Sequence, residues 1–305
     1  MTATVTAATA SSVAANAASP GAAAGPSAPD AAPTGGATGP AKARGTGKAF
    51  RIVPPFVVAG LIVALWYLVS YGLLDASRRF LLPPLHSIFT DAFMNADTMG
   101  DIGLSLGRTA FVTLTGLAIA IVLGIAWAVA MSQARWLETS LFPYAVVLQC
   151  IPVLALVPLI GFWFGFGYPA RIIVCIMISL FPMVSNTLFG LQSVGKAELE
   201  LFKLHGTRRA VILKKLQFPA ALPAIFAGMR ISAGLSVVGA IVGDFFFRRG
   251  DPGLGALIST YQSRVQSVEL FAAIFTAALF GVVIFMFFGW LGRRVVGKWH
   301  DFGGR

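Results

Sequence analysis

Long runs of apolar residues separated by short polar segments dominate this chain. Residues 52–74, 109–134, 141–167, 172–195 and 270–292 contain no Asp, Glu, Lys or Arg. Each run is long enough for a helix to cross a bilayer core of roughly 30 Å. A sixth run, residues 218–247, contains Arg230 and, near its end, Asp244. The pattern predicts an all-α integral membrane protein with about six transmembrane helices.

The two ends of the chain differ from this pattern. Residues 1–48 consist mainly of Ala, Gly, Pro, Ser and Thr, and such a segment buries too little apolar surface to offset the entropy of ordering. We therefore expect a disordered tail at 1–48, a transmembrane domain at 49–300 and a second short tail at 301–305.

Composition and charge agree with a membrane location. The chain is 57% hydrophobic and 11% charged, with a net charge of +11. Of its 23 Lys and Arg residues, fifteen fall on one side of the predicted spans and seven on the other, with Arg230 inside a span. Because cytoplasmic loops are enriched in Lys and Arg, both termini are predicted to be cytoplasmic. The spread-out positive charge indicates attraction to anionic lipid rather than to nucleic acid.

The sequence offers little support for catalysis or for a bound cofactor. Cys150 and Cys175 lie inside predicted spans, so we interpret them as small buried apolar residues. The string Gly45-Thr46-Gly47-Lys48 lacks the first Gly and the final Ser or Thr of a phosphate-binding loop. The three histidines, His86, His205 and His300, are far apart in sequence. We expect no catalytic, metal or cofactor site on this chain.

The most informative segment is the 22-residue loop 196–217 between the fourth and fifth spans. It reads as two short helical pieces joined at Gly206, a residue that adopts left-handed conformations without steric penalty. In the first piece Leu199, Phe202 and Leu204 are predicted to form an apolar ridge suited to a partner's groove. The loop therefore predicts a helix–Gly–helix elbow.

This loop resembles the EAA loop of type I ABC-importer permeases. Glu200 falls six residues before Gly206, and Leu216, Phe218 and Pro219 fall at the Ile, Leu and Pro positions of that pattern. Leu201 and Phe202 replace its two alanines. Similar stretches elsewhere resemble the nitrate, sulfonate and taurine permeases within the family: Ser105-Leu106, Ile151-Pro152, Val157-Pro158-Leu159 and Gly228-Met229-Arg230.

The resemblance implies a bacterial inner-membrane permease whose EAA loop is cytoplasmic. It implies a second permease copy, most simply in a homodimer, together with separate ATPase subunits that bind ATP and Mg²⁺ and an extracytoplasmic solute-binding protein. The solute would be a nitrate-, sulfonate- or taurine-like anion, or a vitamin of the pyrimidine, thiamine-precursor or riboflavin type. The residues predicted to couple to the ATPase are Glu200, Phe202, Lys203, His205, Gly206 and Pro219.

Polar or helix-breaking residues inside the spans are candidates for the solute path, because polar groups in a membrane face protein or water. They are Gln149, Pro152, Ser185, Asn186, Ser236 and Asp244. Each of the polar ones can instead bond to a neighbouring helix. Asp244 can line an outer gate or pair with Arg248 on the helix surface.

Two other protein classes are compatible with a polytopic chain. An ATP-independent secondary transporter or channel would be expected to show paired membrane acids or inverted repeats, and we find neither in this sequence. A membrane-embedded enzyme would need a nucleophile–base set or metal ligands. An ATPase partner separates the importer from both alternatives.

Overall fold

A computed structural model describes residues 48–247 and 251–297, and all of their regular elements are helices. The chain divides into two units, Met1–Pro54 and Pro55–Arg305, and apart from the start of the first helix all features below belong to the second unit. The predicted disordered tail and the tail 301–305 lie outside the described residues, apart from Lys48.

The long helices follow the apolar runs. The α-helices are α1 Lys48–Tyr67, α2 Leu85–Ser87, α3 Ala96–Gln133, α4 Arg135–Cys150, α5 Val153–Phe164, α6 Tyr168–Gln192, α7 Lys196–Leu204, α8 Arg209–Ile212, α9 Phe218–Phe246, α10 Leu254–Ser263 and α11 Ser267–Val296. A 3₁₀ segment covers Ala76–Leu81, and wide π-type turns cover Leu68–Leu73, Ile88–Phe93 and Leu213–Gln217.

Five helical segments in the described residues are long and apolar enough to cross a membrane: Val53–Leu73, Ala96–Gln133, Tyr168–Gln192, Arg209–Phe246 and Ser267–Val296. The bent pair α4–α5 supplies a sixth span if it is counted as one. The prediction of about six membrane helices is confirmed. Several helices exceed the predicted bounds, and Arg171, predicted to lie outside the spans, is in the first turn of α6.

The predicted span 141–167 is wrong as a single helix. Helices α4 and α5 meet at an angle of 96°. Ile151 between them is extended, with φ −65° and ψ 126°, because the ring of Pro152 disfavours helical backbone in the residue before it. Pro143 and Pro158 lie inside helices, so Pro152 alone of these three prolines marks the break. Cys150 is exposed at this break, contrary to the prediction, whereas Cys175 is buried as predicted.

Helices α6 and α9 form the centre of the bundle as a closely packed antiparallel pair. A Cβ added to Gly239 would come within 2.9 Å of the Cys175 Cα, and one on Gly190 within 2.8 Å of the Ala224 Cβ. The Ser232 hydroxyl donates to the Ser179 carbonyl at 2.7 Å. Because small residues let the two backbones approach this closely, α6 and α9 are expected to move together.

Helix α3 packs parallel to α6 through two glycines. A Cβ on Gly116 would meet Cys175, and one on Gly124 would meet Met183. Helix α11 covers the other side of α9, where Ala233 and Val237 pack with Ile284. Because α6 and α9 are antiparallel, the C-terminus of α6 and the N-terminus of α9 lie at the same end of the bundle, where α7 and α8 connect them. We call this the elbow end.

Candidate functional site

The segment Lys196–Gln217 forms the helix–Gly–helix elbow that the sequence predicts. Helix α7 ends at Leu204, and Gly206 has φ +65°. The Gly206 N–H donates to the Lys203 carbonyl at 2.9 Å, and the Thr207 N–H donates to the Phe202 carbonyl at 3.2 Å. These two bonds form a Schellman helix end, which requires a left-handed residue at the glycine position. The joint is therefore built around Gly206.

The two faces of α7 differ in exposure. Leu199 and Phe202 are half-buried, whereas Leu201 is 54% exposed and Leu204 85% exposed. The predicted ridge of Leu199, Phe202 and Leu204 is therefore wrong as one exposed surface. Because residues three apart share a helix face, Leu199 and Phe202 lie on the inner side and Leu201 and Leu204 on the outer side.

Two hydrogen bonds fasten the elbow to the helix bundle. Arg209 Nη1 donates to the carbonyl of Gln133, the last residue of α3, at 2.9 Å. Gln217 Nε2 donates to the Leu191 carbonyl near the end of α6 at 3.3 Å. The segment Arg209–Phe246 is one helical span, so the second half of the elbow is continuous with α9.

The residues predicted to couple to an ATPase lie in or next to this elbow. Glu200 and Lys203 are exposed on α7, and Phe202 is half-buried. His205 is exposed at the end of α7, where its Nδ1 lies 2.8 Å from the Leu201 carbonyl oxygen. Pro219 lies in the first turn of α9. The wide turn Leu213–Gln217 just before it accommodates a ring that would clash with the carbonyl four residues earlier.

The break between α4 and α5 forms one wall of a groove, which we call the break groove. Its lining comes from four helices, α4, α5, α6 and α9: Leu148, Gln149, Val153, Met177, Ile178, Phe181, Pro182 and Leu235. Gln149 is exposed. The Asn186 amide, one turn from this groove, donates to the Pro182 carbonyl at 2.8 Å.

Three other candidate path residues, Pro152, Ser185 and Ser236, do not line the break groove. Pro152 is exposed at the helix break. Ser185 is half-buried and donates to the Pro182 carbonyl at 3.4 Å. Ser236 is fully buried and donates to the Ala233 carbonyl at 3.0 Å. Gln149 thus lines the break groove and Asn186 lies one helical turn from it, whereas Ser236 lies inside the bundle.

Asp244 belongs to a buried polar cluster at the end of the bundle opposite the elbow. Its Oδ1 lies 3.1 Å from Arg171 Nη1, and both side chains are almost completely buried, at 0% and 1% exposure. Its Oδ2 accepts a hydrogen bond from the Thr109 hydroxyl at 2.8 Å. Thr109 Oγ1 in turn accepts the Leu254 N–H at 2.8 Å. The cluster joins α3, α6, α9 and the start of α10.

Arg171 also donates hydrogen bonds to two backbone carbonyls beyond α9, those of Phe247 and Asp251. Its Nη2 donates to the Phe247 carbonyl at 2.6 Å, and its Nη1 donates to the Asp251 carbonyl at 2.8 Å. A second, exposed ion pair joins Arg108 Nη2 to Asp251 Oδ1 at 3.1 Å. The Asp244 side chain is buried rather than on the helix surface; its predicted partner Arg248 lies outside the described residues.

Sequence reasoning missed Arg171 and Thr109. The charge-free run 172–195 begins just after Arg171 and so places this residue outside the predicted spans, and Thr is a common residue in membrane helices. The sequence does contain a signal for the pair: Arg171 lies next to one span and Asp244 near the end of another. Buried charges in proteins are paired.

The chain belongs to the family of binding-protein-dependent transport system inner membrane components. The family's sequence model matches residues 120–297, more than half of the chain. It is 27% identical over 246 residues to a probable ABC transporter permease protein of Haemophilus influenzae, covering 81% of this chain and 98% of that protein. It is 34% identical over 168 residues to the riboflavin transport system permease protein RibX of Chloroflexus aurantiacus, covering 55% and 62%.

A solved structure described as an amino acid ABC transporter with histidines has a similar fold. The TM-score is 0.52 at 17% sequence identity, covering 68% of this chain and 98% of that chain. The predictions of an ABC-importer permease and of its all-helical membrane fold are therefore confirmed. The chain is a transport subunit of the inner membrane.

Proposed function

We propose that this permease subunit imports a small solute by receiving force from a separate ATPase at the elbow. The single observation that carries this proposal is the elbow itself. An exposed apolar pair, Leu201 and Leu204, is held beside a left-handed Gly206 joint. That joint continues into a helix that crosses the whole bundle. Such a surface suits a groove on a partner, and exposed leucines supply the apolar anchors of a helix-in-groove contact.

The moving parts follow from the packing. The ATPases bind ATP and Mg²⁺, and their closure displaces the elbow. Helix α9 moves with the elbow, and α6 follows because Gly190 and Gly239 allow no gap between the two backbones. The break at Ile151–Pro152 lets α4 and α5 respond separately, since no helix hydrogen bond ladder crosses it. The break groove then opens toward alternate sides of the membrane.

Two copies of the chain form the transporter. A single copy leaves the break groove open on one side and offers a single docking elbow, so a second copy completes the path most simply as a homodimer. In this arrangement both termini and the elbow are cytoplasmic, in agreement with the Lys and Arg bias of the sequence. The solute-binding protein delivers solute at the opposite end, near the Asp244 cluster.

The solute is a small molecule of the vitamin or small-anion class. The residues lining the break groove include the amide of Gln149 and the ring of Phe181 but no charged side chain. An amide beside an aromatic ring suits a heterocycle better than a bare inorganic anion, because the ring stacks and the amide satisfies polar edges. This favours the riboflavin and pyrimidine type over nitrate.

Uptake measurements test this function. Cells without their own carriers, expressing the chain with its ATPase and binding protein, are given labelled riboflavin, taurine or nitrate. We expect ATP-dependent riboflavin uptake, reduced about two- to tenfold by Gln149→Ala, since one hydrogen bond contributes about 0.5–1.5 kcal/mol. The control Gln262→Ala, on an exposed residue of α10, keeps normal uptake.

Two other results would change this assignment. Uptake that persists when the ATPase is omitted identifies an ATP-independent carrier. ATP-dependent uptake of taurine or nitrate alone keeps the importer but reverses the choice of solute class.

A further inference from the structure

A basic groove between α9 and α11 lies apart from the elbow surface, the break groove and the Asp244 cluster. It has a volume of about 310 Å³ and opens at the elbow end of the bundle. Its lining is mostly apolar but contains two arginines: Phe226, Ala227, Arg230, Ile231, Phe285, Phe288, Gly289 and Arg293. We call it the arginine groove.

The position of Arg230 is set by its neighbours on α11. Its guanidinium carbon lies 4.0 Å from the centre of the Phe285 ring, a cation–π contact. Gly289 leaves room for the side chain, because a Cβ there would lie 3.4 Å from Arg230 Nε. Arg293 follows one helical turn after Gly289. Both arginines are exposed, so their donors are accessible from outside the bundle.

No acid compensates these charges within the described part of the chain, whose ion pairs are Arg108–Asp251 and Arg171–Asp244. Between residues 218 and 297 the acids are Asp244, Asp251 and Glu269. All three lie near or beyond the ends of α9 and α11 that are farther from the arginine groove. The arginine groove is therefore strongly positive.

Arg230 lies toward the elbow end of α9, away from its C-terminus. Arg230 precedes Phe246, the last residue of α9, by about 24 Å at 1.5 Å per residue. That places Arg230 near the inner edge of a hydrocarbon core of roughly 30 Å. A guanidinium at this depth extends toward the interface and seeks an anion.

Basic, aromatic and exposed apolar side chains also surround the arginine groove. The Arg294 guanidinium carbon lies 5.4 Å from the centre of the Trp290 ring, and Trp is typical of the membrane interface. Lys215 lines a neighbouring groove with Val295. Exposed apolar side chains, including those of Ile231 and Met286, extend from the arginine groove along the two helices.

We propose that the arginine groove binds the phosphate of an anionic phospholipid. Arg230 and Arg293 donate to the phosphate oxygens, and the acyl chains lie along the exposed apolar faces of α9 and α11. Basic pockets between membrane helices on the cytoplasmic side recognise such headgroups. Apolar rims beside the charges favour a lipid over free phosphate, which has no chain to bury.

Native mass spectrometry of the full-length chain in neutral detergent tests this site, with phosphatidylglycerol and phosphatidylethanolamine as competing probes. The wild type is expected to prefer phosphatidylglycerol. R230Q/R293Q is expected to lower that preference about thirtyfold, because each basic residue near an anionic lipid contributes about fivefold in affinity. R135Q/R264Q removes the same charge from exposed positions elsewhere and is expected to change it by less than about twofold.

Other results overturn the assignment. An unchanged lipid preference in R230Q/R293Q does so directly, as does loss of the preference in R230K/R293K, which keeps both charges. Should R230Q/R293Q fail to fold, R230Q alone is expected to give about a fivefold loss. Stabilisation by inorganic phosphate without lipid preference indicates a site for a free anion. A wild-type dimer that R230Q/R293Q dissociates indicates an interface between two copies.

Discussion

Replacing Gly206 with Val is expected to reduce ATP-driven uptake roughly five- to thirtyfold while leaving the membrane helices folded. Gly206 has φ +65° and no atom within 4 Å of an added Cβ, so the backbone conformation and not crowding opposes the substitution. A left-handed residue other than Gly costs about 1–2 kcal/mol. Valine adds a branched Cβ to that cost. The population of correctly shaped elbows falls accordingly.

Matched variants separate this effect from general damage. Gly206→Asn should retain more activity, since Asn tolerates the left-handed region better than Val. Gly165 also has positive φ, +78°, with ψ 165° and open space around it; only Gly readily adopts this conformation, so Gly165→Val introduces at least as much strain away from the elbow. The measurements are uptake, ATP hydrolysis and co-purification of the ATPase. Normal uptake by Gly206→Val would remove the elbow from the mechanism.

Breaking the buried Arg171–Asp244 pair is expected to lower the free energy of unfolding by about 3–5 kcal/mol, because one charge is left without its partner. This is a large share of a typical stability of about 5–15 kcal/mol. Asp244→Leu leaves Arg171 buried at 1% exposure, and Arg171→Met leaves Asp244 at 0%. We expect each single variant to melt at a much lower temperature in detergent.

A double-mutant cycle shows whether the pair is the cause. The double variant Arg171→Met with Asp244→Leu should lose less than the sum of the single losses by about 2 kcal/mol. It will not reach wild-type stability, because the Phe247 and Asp251 carbonyls lose their donor. The exposed pair provides the control: Asp251→Asn, with a side chain 60% exposed, should cost under about 1 kcal/mol. Strictly additive losses would mean that the two charges do not stabilise each other.

The membrane helices could be predicted because a bilayer makes charge-free runs of about 20 residues the dominant signal. The Gly206 joint was predictable for a local reason, since the glycine sits between two helical patterns. Both features depend on residues close together in sequence.

The remaining features depend on contacts between distant residues. Three prolines interrupt the run 141–167, and only packing determines that Pro152 alone breaks the helix. Leu199, Leu201 and Leu204 are equally apolar, so the sequence does not tell which of them face the bundle. Arg171 and Asp244 become a pair only when α6 and α9 pack side by side, and neither one reveals its partner.

Chemical labelling of Leu204→Cys in a Cys150→Ser background tests most directly whether the elbow is a cytoplasmic ATPase-docking surface. The Leu204 side chain is 85% exposed, and the remaining native thiol, Cys175, is buried. We predict that a membrane-impermeant maleimide labels Leu204→Cys in inside-out vesicles and that co-expressed ATPase protects it. Met94→Cys, 73% exposed beyond the opposite end of α3, should be labelled only in right-side-out vesicles. Labelling of Leu204→Cys from the outside, or full labelling in the presence of bound ATPase, would contradict this docking surface.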